Sequence, residues 1–243
     1  MGEAKRRKQT GAPAPRNQGN KKPAYIAIAA VVVVAVIAAV YFMTTPPAPT
    51  SSNLPVAAEN ADEFPAIFDQ YGTSVGAEDA PVVVREFADY QCPACASFSE
   101  ASQRLKKEYV ESGKVRFVYF DLPLRQHANA MPAAQAARCA GDQGQYWAMH
   151  DKLYGSQSSW SGSDDPVATF TRYANDLGLE ERRFRRCMTT ELHKEAVEQS
   201  LQVAMQLRVA STPTVLVDNI QLTRPGWGQL SAVVERELNK AED

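Results

Sequence analysis

Cys92 and Cys95 stand two residues apart in "FADYQCPACASFSE", residues 87–100, where a strand-like run gives way to a helix-like one. Cys-x-x-Cys serves three chemistries: a pair of metal ligands, a structural staple, or a disulfide that is passed to another protein. For exchange, the thiolate is the nucleophile. Cys92 falls at the start of the expected helix, where unpaired backbone N–H groups and the positive end of the helix dipole favour a thiolate over a thiol. Pro93 suits the first helical turn because no N–H bond is needed there. Cys95 lies one turn further in, close enough to attack a mixed disulfide and more shielded. Cys92 is the expected attacking sulfur and Cys95 the resolving one.

The elements that must hold this pair follow from the flanking patterns. Val82 to Val84, continuing to Phe87, form an apolar β-branched run expected of a strand buried within a sheet. Ala94, Phe98, Ala101, Leu105 and Tyr109 then recur at helical spacing, and Gly113 supplies a stop. "KVRFVYFDLPL" reads as a second strand with Val115, Phe117 and Tyr119 on one face and Val118 and Phe120 on the other. Strand, helix, strand in this order predicts a βαβ unit with parallel strands. A mostly helical stretch follows, with segments expected at 127–141, 144–154, 166–177, 180–188 and 190–208. Trp147, Tyr154, Leu192, Val197 and Leu201 are its expected core residues. The chain returns to strand at "TPTVLVD" and "IQL", and a last helix is expected from about Gln229 to Leu238. The whole is an α/β sheet interrupted by a helical block.

Three separated stretches, "EFADYQCPACASFS", "HANAMPAAQAARCAGDQGQYWAMHDKLY" and "ASTPTVLVDN", make residues 74–238 resemble the DsbA-like thiol–disulfide oxidoreductases of the thioredoxin superfamily. The resemblance implies a thioredoxin fold with an inserted helical domain at about 125–208, in a domain spanning 71–243. It implies that Thr212 and Pro213 form the family's cis-proline loop, which lies beside the active-site disulfide and pairs with the substrate backbone. Residues alone leave a trans proline opening a strand as the default. Glu86, six residues before Cys92, matches a buried acid that helps the second cysteine, here Cys95, gain or lose its proton. An ordinary salt bridge is its alternative. His127 resembles a recurrent histidine at a helix start and is expected to be structural. Ala94 departs from the type member, which carries histidine there; the Cys92 thiolate is then less stabilised and the disulfide a weaker oxidant.

Four cysteines permit three connectivities, and pairing Cys92 with Cys95 leaves Cys139 with Cys187 as a structural disulfide. The alternative is a zinc site of Cys139, Cys187, His150 and His193, whose scattered spacing matches no familiar metal pattern. A redox role for Cys139 and Cys187, relaying electrons to the first pair, is a further option. No Gly-rich phosphate loop or other cofactor motif is visible, so no cofactor is expected.

Charge and hydropathy place the domain. Residues 1–23 carry seven of the 26 Lys and Arg but one of the 28 Asp and Glu, leaving 19 against 27 on the remainder. That acidic body argues against nucleic-acid binding. Residues 24–43, "AYIAIAAVVVVAVIAAVYFM", hold no charge and match the roughly 20 residues that span a bilayer. A cleaved signal peptide has a shorter apolar run and a small-x-small site. This run is longer and ends in Tyr41, Phe42 and Met43, which favours an uncleaved anchor. The basic tail then stays in the cytoplasm and the rest is exported. The Pro-, Ser- and Ala-rich residues 44–70 read as an extended tether. The expected protein is a single-pass, monomeric thiol oxidase outside a bacterial cytoplasmic membrane, acting on exported proteins with free thiols. The resemblance implies reoxidation by a quinone-linked membrane protein of the DsbB or vitamin K epoxide reductase type. A reductase or isomerase, and a non-enzymatic metal-binding module, are the rival readings.

Overall fold

The computed structural model describes residues 54–57 and 63–242. The basic tail and the expected anchor at 24–43 lie outside the described residues, and among the described residues no helix is long and apolar enough to cross a membrane. The first element is a short strand, β1 (Thr73–Val75), preceded by a 3-10 turn at Ala66–Tyr71. Strand β2 (Val82–Ala88) leads through a short loop into α1 (Pro93–Leu105), which widens into a π-helical turn at Lys106–Val110. Strand β3 (Val115–Asp121) completes the βαβ unit.

Six helices follow before the chain returns to the sheet: α2 (Ala130–Gly141), α3 (Tyr146–Gly155), α4 (Gln157–Trp160), α5 (Pro166–Asp176), α6 (Glu181–Thr189) and α7 (Lys194–Gln206). Strands β4 (Thr214–Val217) and β5 (Ile220–Gln221) and helix α8 (Trp227–Glu242) close the domain. The sheet order is β1-β3-β2-β4-β5. The β2/β3 pair is parallel, with Val84 beside Phe117 and Glu86 beside Tyr119; β1/β3, β2/β4 and β4/β5 are antiparallel.

Alternation along the two central strands divides the core. Val82, Val84, Val115, Phe117 and Tyr119 join the large cluster that α1, α3 and α8 help to form. Phe87, Val118 and Phe120 face the other way, against α7. Phe87 and Phe120 stack at 4.4 Å between centroids. Each such fully buried side chain contributes roughly 1.5–3 kcal/mol relative to exposure. In α2 the buried face is built from Ala133, Ala134, Ala136, Ala137 and Ala140, small enough for neighbouring helices to approach closely.

The structure departs from the sequence reading in several places. The first insert helix starts at Ala130, so His127 lies in the preceding turn. Leu192, expected in the core, is 61% exposed in the turn between α6 and α7. The short elements β1 and α4 carry no periodic signal. The folded domain also begins before residue 71. Asp69 receives a two-pronged contact from Arg85 of β2, at 2.7 and 2.8 Å, with both side chains buried. The Arg85 guanidinium lies 4.1 Å over the ring of Phe64. The end of the expected tether is therefore held on the sheet by partners that its own composition cannot reveal.

Candidate active site

Cys92 occupies the N-cap of α1 with extended backbone angles, φ −73° and ψ 123°, and Pro93 is the first helical residue. The Cys92 N–H donates to the Asp89 carbonyl at 3.0 Å, and its own carbonyl accepts the Ala96 N–H at 3.1 Å. This geometry turns the chain from strand to helix and leaves Cys92 slightly exposed, at 8%, and Cys95 fully buried. Both thiols are free. The Cys92 thiol reaches the Thr212 carbonyl, Sγ to O 3.7 Å, and the Thr212–Pro213 bond is cis. The loop before β4 therefore lies against the reactive end of α1, bringing together residues 120 positions apart.

The two sulfurs sit in unlike surroundings. Burial pushes the Cys95 thiol well up, with the negative charges of Glu86 and of a Cys92 thiolate adding to it; hydrogen bonds from the Asp89 backbone and the Thr212 side chain oppose. A Cys95 thiolate is thus a strong base. Glu86 is 1% exposed, its Oε2 has no hydrogen-bond partner, and burial raises its carboxyl to about 8 against the pull of the Lys106 charge. No ion pair to Glu86 occurs among the described residues, so the salt-bridge alternative does not hold there. A carboxyl still protonated at neutral pH beside a buried basic sulfur can supply that sulfur with a proton.

Other residues hold the loop in place. The Asp89 carboxylate accepts the N–H of Gln91 at 2.6 Å and of Leu124 at 2.8 Å, and contacts His127 Nδ1 at 2.8 Å. His127 thereby has a structural partner. Gln157 of α4 donates to the Tyr90 and Cys92 carbonyls at 2.7 and 3.0 Å. Gln91 bridges to the helical block through the Ser161 carbonyl and the Asn129 N–H, both at 2.7 Å. Sequence reasoning missed Asp89, Gln91, Asn129 and Gln157. An Asp where a strand meets a helical turn is a weak local signal for Asp89; the others act across dozens of residues.

Cys139 and Cys187 are joined by a disulfide between α2 and α6, Cα to Cα 5.8 Å. His193 lies beside it, bonded to Asp142 at 2.9 Å. His150 does not join this group; it is buried between α3 and the sheet. The four-residue zinc set is therefore not assembled.

A thioredoxin family profile matches residues 69–236. Together with the sheet, the inserted helices and the cysteine pair facing a cis-proline loop, this defines the class: the chain belongs to the thioredoxin superfamily, as a DsbA-like thiol–disulfide oxidoreductase. It is 30% identical over 173 residues to the probable disulfide bond formation protein D of Bacillus anthracis, covering 69% of this chain and 78% of that one. It is 35% identical over 144 residues to a Na(+)/H(+) antiporter NhaA of Salinispora tropica, covering 59% of this chain but only 21% of that protein. The crystal structure of oxidised BdbD from Bacillus subtilis superimposes with TM-score 0.63 at 22% identity, over 77% of this chain and all of that one.

Proposed function

We propose that the protein is a thiol oxidase that introduces disulfides into exported proteins through the Cys92/Cys95 pair. The observation that carries this reading is the contrast between the sulfurs: Cys92 keeps a slight exposure, 8%, at the helix start beside the Thr212–Pro213 loop, while Cys95 has none and its thiol is pushed up by burial near Glu86. A substrate thiolate attacks Cys92 Sγ of the oxidised pair, forming a mixed disulfide and expelling Cys95 as a thiolate. Glu86 donates its proton to Cys95, which makes that departure favourable. A second substrate thiolate then attacks the substrate sulfur of the mixed disulfide and releases Cys92. The substrate leaves with a new disulfide, and the enzyme holds two thiols. The name of the Bacillus anthracis relative, a probable disulfide bond formation protein, supports the oxidising direction.

Reoxidation requires an electron acceptor, for which a quinone-linked membrane protein of the DsbB or vitamin K epoxide reductase type is the fitting class. The uncharged residues 24–43 supply a single-pass anchor with the basic tail in the cytoplasm, and the domain acts outside as a monomer. The deciding measurement is the reduction potential of Cys92/Cys95 against glutathione. A potential well above the roughly −270 mV of thioredoxin is expected. A value as reducing as thioredoxin's assigns the protein to disulfide reduction instead. Protease protection of the domain in intact cells, lost in spheroplasts, tests its placement.

A further inference from the structure

Residues 90–92 are clamped from the helical block. Gln157 of α4 donates from one amide group to two carbonyls, that of Tyr90 at 2.7 Å and that of Cys92 at 3.0 Å. Both partners only accept, so the nitrogen of that amide and not its oxygen faces them. Gln91, between the two, is tied at both ends of its own amide. It donates to the Ser161 carbonyl and accepts the Asn129 N–H, each at 2.7 Å. The Asn129 side chain in turn donates to the Trp160, Ser161 and Ser163 carbonyls at 3.2, 3.2 and 2.9 Å. Trp160 is fully buried and its Nε1–H donates to the Leu153 carbonyl at 2.8 Å. Gln157 therefore projects from a corner of the block that is itself fixed.

The need to satisfy bare carbonyls does not account for this arrangement. The Cys92 carbonyl already accepts the Ala96 N–H at 3.1 Å, so Gln157 adds a second donor to the same oxygen. That oxygen belongs to the residue whose sulfur exchanges, and covalent geometry keeps the two atoms near each other. The Thr212 carbonyl oxygen lies 3.7 Å from the same sulfur. Carbonyl oxygens are the negative ends of their dipoles and oppose a thiolate; a donor that engages one weakens the opposition. Ala94, inside the motif, supplies no positive charge.

We propose that Gln157 is a positioning residue for the exchange reaction: it holds the Cys92 carbonyl and so stabilises the negative charge that Cys92 takes up on leaving a mixed disulfide. In that step a second thiolate attacks the substrate sulfur, the bond from that sulfur to Cys92 breaks, and Cys92 departs with the electron pair. The Cys92–Cys95 disulfide carries no charge at Cys92, so Gln157 favours the reduced form over it. A stabilised reduced form is what makes an oxidant strong. The helical block thereby strengthens a pair whose own motif lacks a cation. The effect rests on Cys92 being the sulfur that joins substrate, and it holds for either direction of net electron flow.

The test uses the full-length protein. Gln157→Met keeps the side-chain length without the donor, and Gln157→Asn keeps the amide but falls a methylene short. In each, the equilibrium with glutathione at mildly alkaline pH should move about fivefold toward the protein disulfide, roughly 20 mV. The shift should fade in acid, where Cys92 is a thiol in every variant. Cys95, Glu86, Asp89 and His127, the other titratable groups around the loop, are common to all variants and cancel in the difference. A peptide linked to Cys92 in a Cys95→Ala background should be released by a second thiol about twofold more slowly. An equal shift in acid marks lost packing and overturns the proposal. So do an unchanged potential and release rate in both variants. Should Gln157→Met fail to fold, Gln157→Asn decides alone. A wild-type potential as low as thioredoxin's removes the oxidase reading, and the difference between variant and wild type still judges Gln157.

Discussion

Glu86 and Asp89 are buried carboxyls three residues apart, and their surroundings give them opposite roles. Asp89 gathers two backbone donors and a histidine, whereas Glu86 has an oxygen with no partner and titrates near 8 instead of its ordinary 4.5. The folded state thus keeps the Glu86 proton to about pH 8 while the unfolded chain releases it near 4.5. Stability from this group is fully present below about pH 4.5 and is lost as pH rises through about 8. Glu86→Gln should abolish that slope: its unfolding free energy, read from denaturant titrations, should exceed wild type above pH 8 by on the order of a few kcal/mol and converge with it at low pH. Asp89→Ala has the contrary sign. Leaving the Gln91 and Leu124 amides without their acceptor should destabilise the domain by roughly 2–4 kcal/mol in urea titration.

At the scale of elements, β2 and β3 were readable as apolar runs because each strand buries both faces, and the two faces belong to separate clusters. The start of α1 was readable for a different reason, the Cys-Pro step that caps a helix. Strand β1, three residues long, was not, since three residues hold no period. Its approach is set by Gly76, at φ +108°, where a Cβ would stand 2.6 Å from the Val115 carbonyl oxygen. Gly113 shares the left-handed geometry, at φ +76°, but nothing lies within 4 Å of the place a Cβ would take. Gly113→Ala should therefore cost about 1 kcal/mol and Gly76→Ala distinctly more, a ranking that thermal unfolding of the pair checks. Asp69→Ala, which strands the buried Arg85 charge, should cost roughly 3–5 kcal/mol by chemical denaturation.

For the whole molecule, the helical block must stay registered on the sheet, because Gln157 reaches from it into the cysteine loop and Gln91 of that loop reaches back to accept the Asn129 N–H. The Cys139–Cys187 bond closes a 48-residue separation within that block. Replacing both cysteines by alanine should lower stability by about 4 kcal/mol by the chain-entropy relation. The reduction potential of Cys92/Cys95 should not change, as expected of a bond that constrains the insert and carries no electrons to the active pair. A matching shift in that potential would point to a redox relay.

The sequence by itself determined what is local: the strand-to-helix step that presents Cys92, the two-sided strands, the succession of helices, and the candidate sulfurs. Periodicity and capping are nearest-neighbour effects, and a linear chain displays them. Pro213 and Glu86 were legible only through resemblance, since neither a cis bond nor a missing partner leaves a mark in one sequence. Tertiary structure decided the rest. It carried Thr212 across 120 residues to Cys92, chose Asp89 over Glu86 as the satisfied carboxylate, set His150 among tyrosines far from Cys139, and folded residues 64–71 onto Arg85. Each outcome depends on which polar groups lose water together, and that is settled only when distant segments meet.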